Sequence, residues 1–248
     1  MNNTENVVVM DTVITDENNK KYVYHMVKRT FDIMVSLIAC LFLLPLSIIV
    51  KVVSLLSGDT HSIFYKQKRV GKDGKLFYIY KFRSMVPNAD ELLEQTLKMD
   101  KIAADEWKNY QKITNDPRIT KIGKFLRKTS LDELPQFINI LKGDMSMIGP
   151  RPLVEGELDT FYGSHEVYES IKPGITGWWA CNGRSDTTYT ERLKLEYYYV
   201  KNQSLILDIK CIFKTKRVFL RLILIASVDK YIDKSLKLQS YGQTHCII

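Results

Sequence analysis

The run Ile33-Met34-Val35-Ser36-Leu37-Ile38-Ala39-Cys40-Leu41-Phe42-Leu43-Leu44-Pro45-Leu46-Ser47-Ile48-Ile49-Val50 carries no charged side chain. Its length approaches the roughly 20 apolar residues that a helix needs to cross a hydrocarbon core of about 30 Å. Hydropathy alone reads it as a single-pass anchor. Two features oppose that reading. Pro45 removes a backbone hydrogen bond inside the run and collides with the carbonyl of Leu41, which kinks or breaks a helix. Basic residues flank both ends, Lys28 and Arg29 before and Lys51, Lys66, Lys68 and Arg69 after, and such residues mark the cytoplasmic side of a membrane. A helix over residues 22–57 that enters the bilayer, breaks at Pro45 and returns answers both demands. Ser47 or local packing would then satisfy the freed carbonyl near Leu41. The polar, Asn-rich residues 1–21 lack the features of a signal peptide and are expected as a flexible tail.

The chain as a whole is basic: 36 Lys and Arg against 28 Asp and Glu, a net charge of +8 over 248 residues. That balance favours an anionic partner: nucleic acid, an anionic membrane surface or a phosphorylated substrate. No helix-turn-helix, zinc or RNP motif supports nucleic acid. The cysteines Cys40, Cys181, Cys211 and Cys246 are scattered without metal-ligand spacing, which suits a reducing compartment.

After Gly58 the apolar pattern gives way to a mixed one. Phe64–Val70 and Leu76–Phe82 flank Gly71-Lys72-Asp73-Gly74, and Asp-Gly between apolar runs predicts a hairpin. The Gly-Lys pair lacks P-loop spacing. Residues 88–110 predict one charged surface helix, ended by Asn115-Asp116-Pro117. Asp208 to Val228 predicts a basic amphipathic helix, with Lys210, Lys214, Arg217 and Arg221 on one face, suited either to a membrane interface or to a protein core. The fold class expected is α+β and mainly helical: a re-entrant, broken membrane helix, a cytoplasmic domain over 58–228 with a small hairpin and interfacial helices, and a tail over 229–248.

The chemistry concentrates in Thr129-Ser130-Leu131-Asp132-Glu133-Leu134-Pro135-Gln136. Ser130-x-x-Glu133 matches a capping box, and Pro135 suits a first helical turn, so the two acids have an account as helix starters. They also have a chemical account. Successive helical side chains diverge by about 100°, so the two carboxylates face different partners. A carboxylate at a helix N-terminus stays ionised, and can attack phosphorus or hold Mg2+ together with phosphate oxygens. Arg151, held between Pro150 and Pro152, offers a planar cation of little backbone freedom for phosphate. Arg127 either joins that site or is a solvated charge. Pro173-Gly174-Ile175-Thr176-Gly177-Trp178-Trp179 suits a pocket wall or a packed loop.

Taken in order, Lys28-Arg29-x-Phe31-Asp32, Lys81-Phe82-Arg83-Ser84-Met85, Asp132-Glu133, Gly149-Pro150-Arg151-Pro152 and Pro173-Gly174-Ile175-Thr176-Gly177 resemble the bacterial sugar transferases, the monotopic phosphoglycosyl transferases. The resemblance runs from about Lys28 to Leu220. It implies transfer of a sugar 1-phosphate from a UDP-sugar to polyprenyl (undecaprenyl) phosphate, with Mg2+ and release of UMP, at the cytoplasmic face of the bacterial plasma membrane. By the same match Asp132 is nucleophile and metal ligand, and Glu133 handles the proton. Arg127, Arg151, Lys81 and Arg83 fall on phosphate-binding positions. Gly174, Thr176, Gly177 and Arg184 fall in the nucleotide-sugar region, and Pro45 is the membrane-helix break. A homo-oligomer is among the partners the resemblance allows. Asn115-Asp116-Pro117-Arg118-Ile119-Thr120 and Gly183-Arg184-Ser185-Asp186 to Tyr189-x-x-Arg192 look like the galactose branch, and galactose or glucose phosphate is the expected cargo. Ala180-Cys181-Asn182 and Glu196, where Asp is common, depart from the pattern, and both departures fall in the nucleotide-sugar region. The rival is a membrane-anchored basic binding protein without catalysis.

Overall fold

The computed structural model describes residues 3–110, 113–183 and 187–215. The first helix, α1 (Asn3–Leu56), takes in the stretch expected as a tail and carries Pro45 inside it rather than ending there. The expected break is therefore not seen as an interruption of the helix. Ser47 Oγ donates to Leu43 O at 2.7 Å, not to the carbonyl of Leu41.

Helix α1 is two-faced in an unusual way. Asp32, Ser36, Leu43, Val50 and Ser54 are buried and lie along one stripe of the helix. Leu37, Ile38, Leu41, Phe42, Leu44, Ile48 and Ile49 are exposed on the others. The buried stripe rests on a single globular body at both ends. Near its start, Asp32 accepts from Ser146 Oγ at 3.1 Å and Met147 N–H at 2.9 Å. Arg29 donates to the carbonyls of Ile140 and Leu141 at 2.6 and 3.0 Å. Lys28 pairs with Asp208 at 2.7 Å, and Tyr24 and Tyr199 also donate to that carboxylate. Toward its end, Leu43 and Val50 join Phe82 and Leu126 in an apolar cluster.

Strands β1 (Phe64–Val70) and β2 (Leu76–Phe82) form the antiparallel hairpin with the bounds that alternation and Asp-Gly predict. Asp73 takes the left-handed conformation in the turn, at φ 56°. The other edge of β2 is not left open: Asn139 accepts from Tyr80 N–H at 3.0 Å and donates to Tyr78 O at 2.7 Å. This one amide sews a helix to a strand edge and satisfies two backbone groups that burial would otherwise orphan.

The single surface helix predicted over 88–110 is two: α2 (Ala89–Met99) and α3 (Lys101–Tyr110). Asp100 separates them, its carboxylate accepting from the N–H groups of Ile102 and Ala103. An Asp that can cap outcompetes continuation of the helix. The following segment is anchored by a buried Asp116–Arg118 pair at 2.7 Å. Helix α4 (Lys121–Thr129) starts on the Thr120 cap and ends at Ser130, which is left-handed at φ 56°. Leu131–Glu133 is a single 3₁₀ turn, followed by α5 (Gln136–Lys142).

Two short strands, β3 (Ser146–Ile148) and β4 (Gly174–Thr176), pair in parallel. They bracket α6 (Glu157–Thr160) and α7 (His165–Tyr168). Helices α8 (Trp178–Asn182) and α9 (Tyr189–Lys201) follow, and residues 205–215 are helical. The remainder of the predicted amphipathic helix, and the tail beyond it, lie outside the described residues.

Candidate active site

The capping box expected at Ser130-x-x-Glu133 does not form. Ser130 closes α4 in the left-handed region and its side chain caps nothing. Glu133 is thereby released, and pairs instead with Lys81 at 3.0 Å. Lys81 comes from the end of β2 and Glu133 from the 3₁₀ turn, so the hairpin and the approach to α5 meet across this ion pair. Asp132 is half-buried beside them. Burial and the Glu133 charge push its carboxyl above the ordinary range, while Lys81 and Arg127 pull the other way. Arg127 also donates from Nε to Ser84 Oγ at 2.8 Å.

A cavity of about 460 Å³ opens next to this cluster. Lys81 and Glu133 line it together with Arg69, Arg151 and Glu196. Gly174, Thr176, Gly177 and Trp179 contribute further wall. Asp132 itself is not among the lining residues, and neither are Arg127 or Arg83. Arg83 is committed elsewhere: its guanidinium holds Asp59 at 2.8 Å and the carbonyls of Ser62 and Met85. It fastens the end of α1 to the hairpin, leaving the cavity to other cations. Arg184 lies outside the described residues.

The Pro150-Arg151-Pro152 turn is held from three directions. Arg151 N–H donates to Glu196 Oε1 at 3.1 Å, and Tyr168 OH donates to Arg151 O at 2.9 Å. Arg69 Nη1 donates to Pro152 O at 3.3 Å. With the backbone clamped, the exposed Arg151 side chain stands at the cavity wall. Burial and the neighbouring Arg151 charge lower the Arg69 pKa, as expected of two cations set close together.

The glycines of the predicted pocket-wall motif have a packing role. A Cβ on Gly174 would sit 2.1 Å from Gly149 N, and one on Gly177 would sit 2.1 Å from Gly149 O. Only bare backbones approach this closely, which brings Thr176 and Trp179 to the cavity. The Asp116–Arg118 pair gives the linker motif a structural role as well.

Arg69, Gln136 and Glu196 line the cavity; of these only Glu196 is set near the site by the sequence, through the resemblance, which puts it in the nucleotide-sugar region. In the sequence Arg69 reads as a membrane flank and Glu196 as a departure from a pattern. An acid heading the run Tyr197-Tyr198-Tyr199-Val200 is the available signal for Glu196.

Among the described residues no group of three or more His, Cys, Asp or Glu side chains is arranged to hold a metal ion. Mg2+ needs only one or two protein carboxylates when phosphate oxygens and water complete its shell. Asp132 beside Glu133 fits that demand.

The family model for bacterial sugar transferases matches residues 23–222. The UDP-galactose-lipid carrier transferase of Erwinia amylovora is 46% identical over 204 residues, 82% of this chain and 42% of that protein. The undecaprenyl-phosphate galactose phosphotransferase of Salmonella typhimurium is 48% identical over 196 residues, covering 78% of this chain and 40% of that protein. The chain thus spans less than half the length of these two relatives. The exopolysaccharide production protein ExoY of Sinorhizobium fredii is 43% identical over 188 residues, 76% of this chain and 83% of that protein. The match takes in α1 from residue 23 onward, the hairpin, the Asp132-Glu133 turn and the arginine-lined cavity together, and the chain belongs to the bacterial sugar transferase family.

Proposed function

We propose that the protein transfers a sugar 1-phosphate from a UDP-sugar to undecaprenyl phosphate, through a phosphosugar carried on Asp132. The observation that carries this reading is a single cavity lined both by the Lys81–Glu133 ion pair and by the mutually repelling Arg69 and Arg151. Such a cavity suits a diphosphate whose phosphorus is to be attacked by a carboxylate. Three relatives bear the names of undecaprenyl-phosphate transferases of galactose phosphate, N-acetylgalactosamine phosphate and glucose 1-phosphate.

In the first step an Asp132 oxygen attacks the sugar-bearing phosphorus, the bond to the UMP oxygen breaks, and UMP leaves with that electron pair. In the second, an oxygen of undecaprenyl phosphate attacks the same phosphorus and the Asp132 carboxylate departs. Burial makes Asp132 more basic and so a better nucleophile, while Lys81 and Arg127 favour its ionised form. Glu133, oriented by Lys81, handles the acceptor proton. Arg151 and Arg69 stabilise the charge gathering on phosphate oxygens. Mg2+, held by Asp132 and substrate phosphates, would neutralise part of the diphosphate charge. Galactose or glucose is the proposed sugar.

The lipid acceptor explains α1. A helix fastened to one polar body from Tyr24 through Val50 cannot stand across a bilayer without dragging that body into hydrocarbon. Its exposed apolar faces therefore enter one leaflet from the cytoplasmic side, and α1 dips in without spanning.

The test is UMP release from UDP-galactose or UDP-glucose by membranes supplied with undecaprenyl phosphate and Mg2+. Sugar-phosphate labelling of the protein is followed in parallel. Asp132→Asn is expected to lose both by at least about a thousandfold. Labelling that survives this change would remove Asp132 as the nucleophile.

A further inference from the structure

Glu196 is 1% exposed and lines the cavity, and its two oxygens are unequal. Oε1 accepts from Arg151 N–H at 3.1 Å. Oε2 is buried with no hydrogen-bond partner. Buried polar atoms are nearly always bonded, so a vacant carboxylate oxygen at a cavity wall calls for a donor from outside the protein.

The surroundings narrow what that donor is. Arg151 and Arg192 act on Glu196 electrostatically from the Pro-Arg-Pro turn and from α9. Tyr168 on α7 and Cys181 on α8 also sense it. Arg192 stacks on the Trp179 and Tyr189 rings, 4.9 and 4.8 Å from their centroids, and its Nη1 pairs with Glu157 at 3.3 Å, while its Nε and Nη2 are buried without a hydrogen-bond partner. The flanking guanidiniums repel a metal ion. The carboxylate itself repels phosphate, which the neighbouring Arg151 guanidinium attracts instead. A neutral donor remains. We propose that Glu196 Oε2 accepts a hydrogen bond from a hydroxyl of the bound nucleotide sugar, while Oε1 holds the Arg151 turn. One residue thus couples recognition of a hydroxyl to placement of the phosphate-binding arginine. The inference rests on the nucleotide-sugar reading of the cavity.

Glu196→Gln separates the two duties. The amide oxygen still accepts from Arg151 N–H, but the vacant position then presents an NH₂ group in place of a charged acceptor. The experiment measures dissociation constants of the full-length protein, wild type and Glu196→Gln, for UDP-galactose, UDP-glucose, UDP and inorganic pyrophosphate. Weakening by about tenfold for the UDP-sugars, with UDP and pyrophosphate unchanged, assigns the hydroxyl to the transferred sugar. Equal weakening for UDP-sugars and UDP, with pyrophosphate unchanged, assigns it to the ribose. Pyrophosphate weakened as much as the UDP-sugars means that Glu196 acts only through Arg151, and overturns the hydroxyl contact. All constants within about twofold of wild type mean that water alone fills the position, and overturn the contact as well. Glu196→Asp, which draws the carboxylate back by one methylene, is read the same way should the amide variant fail to fold. Wild-type protein that binds no UDP-sugar overturns the transferase reading too, whereas an insensitive variant of a binding wild type overturns only this inference.

Discussion

At the scale of single residues, Glu196 also carries a stability signature. Burial holds its pKa up at about 7, against an ordinary value of 4.5. The folded state therefore binds a proton that the unfolded state has released, and stability falls as pH rises from about 4.5 through 7. Glu196→Gln removes that slope. Its stability relative to wild type is expected to improve by on the order of 2–3 kcal/mol between about pH 5 and pH 8, read by urea denaturation at each pH. Lys81→Met tests the neighbouring pair: it removes the partner of Glu133 and one of two cations favouring ionised Asp132. Turnover is expected to fall at least about tenfold while the thermal midpoint moves little, because a pair this exposed contributes weakly to stability. Asp132, Glu133 and Arg151 stand out in the sequence because each sits beside a proline or a second acid. Arg69 does not, and Glu196 stands out only as a departure from the family pattern, because their surroundings come from segments far apart in the chain.

At the scale of elements, the hairpin was legible to its end residues. Alternation and an Asp-Gly turn are local signals, and β1 and β2 need little else to find register. The capping box was a local signal that lost. Ser130 is drawn into the left-handed close of α4, and Glu133 finds Lys81, a partner 52 positions earlier in the chain. The hairpin edge depends on one amide. Asn139→Ala leaves Tyr80 N–H and Tyr78 O without their partner, and is expected to cost about 2–4 kcal/mol in chemical denaturation. Gly174→Ala is expected to be worse. Its methyl would sit 2.1 Å from Gly149 N, so β3 and β4 must separate, and the cavity wall they carry is lost with them.

At the scale of the whole molecule, α1 divides its residues between two environments. Leu41 and Phe42 are 75% and 64% exposed, whereas Leu43 is 7% exposed within the core cluster. Leu41→Asp with Phe42→Asp is expected to release much of the protein from liposomes in flotation assays while leaving it folded. Leu43→Asp, by contrast, is expected to unfold it. A cysteine placed at Thr60 is expected to resist labelling from outside intact cells, because the stretches of α1 on either side of the apolar run's exposed faces, at Tyr24 and Val50, are fastened to one body. The sequence by itself determined the apolar run, the basic flanks, the hairpin and the acid and arginine motifs, since each is written in the types and spacing of near neighbours. Tertiary structure alone decided which charges face the cavity. Arg83 is spent on Asp59, Arg69 and Glu196 are turned inward, and Asp132 is set beside the cavity rather than on its wall. Those outcomes depend on which distant segment satisfies each buried charge first, and no local pattern encodes that choice.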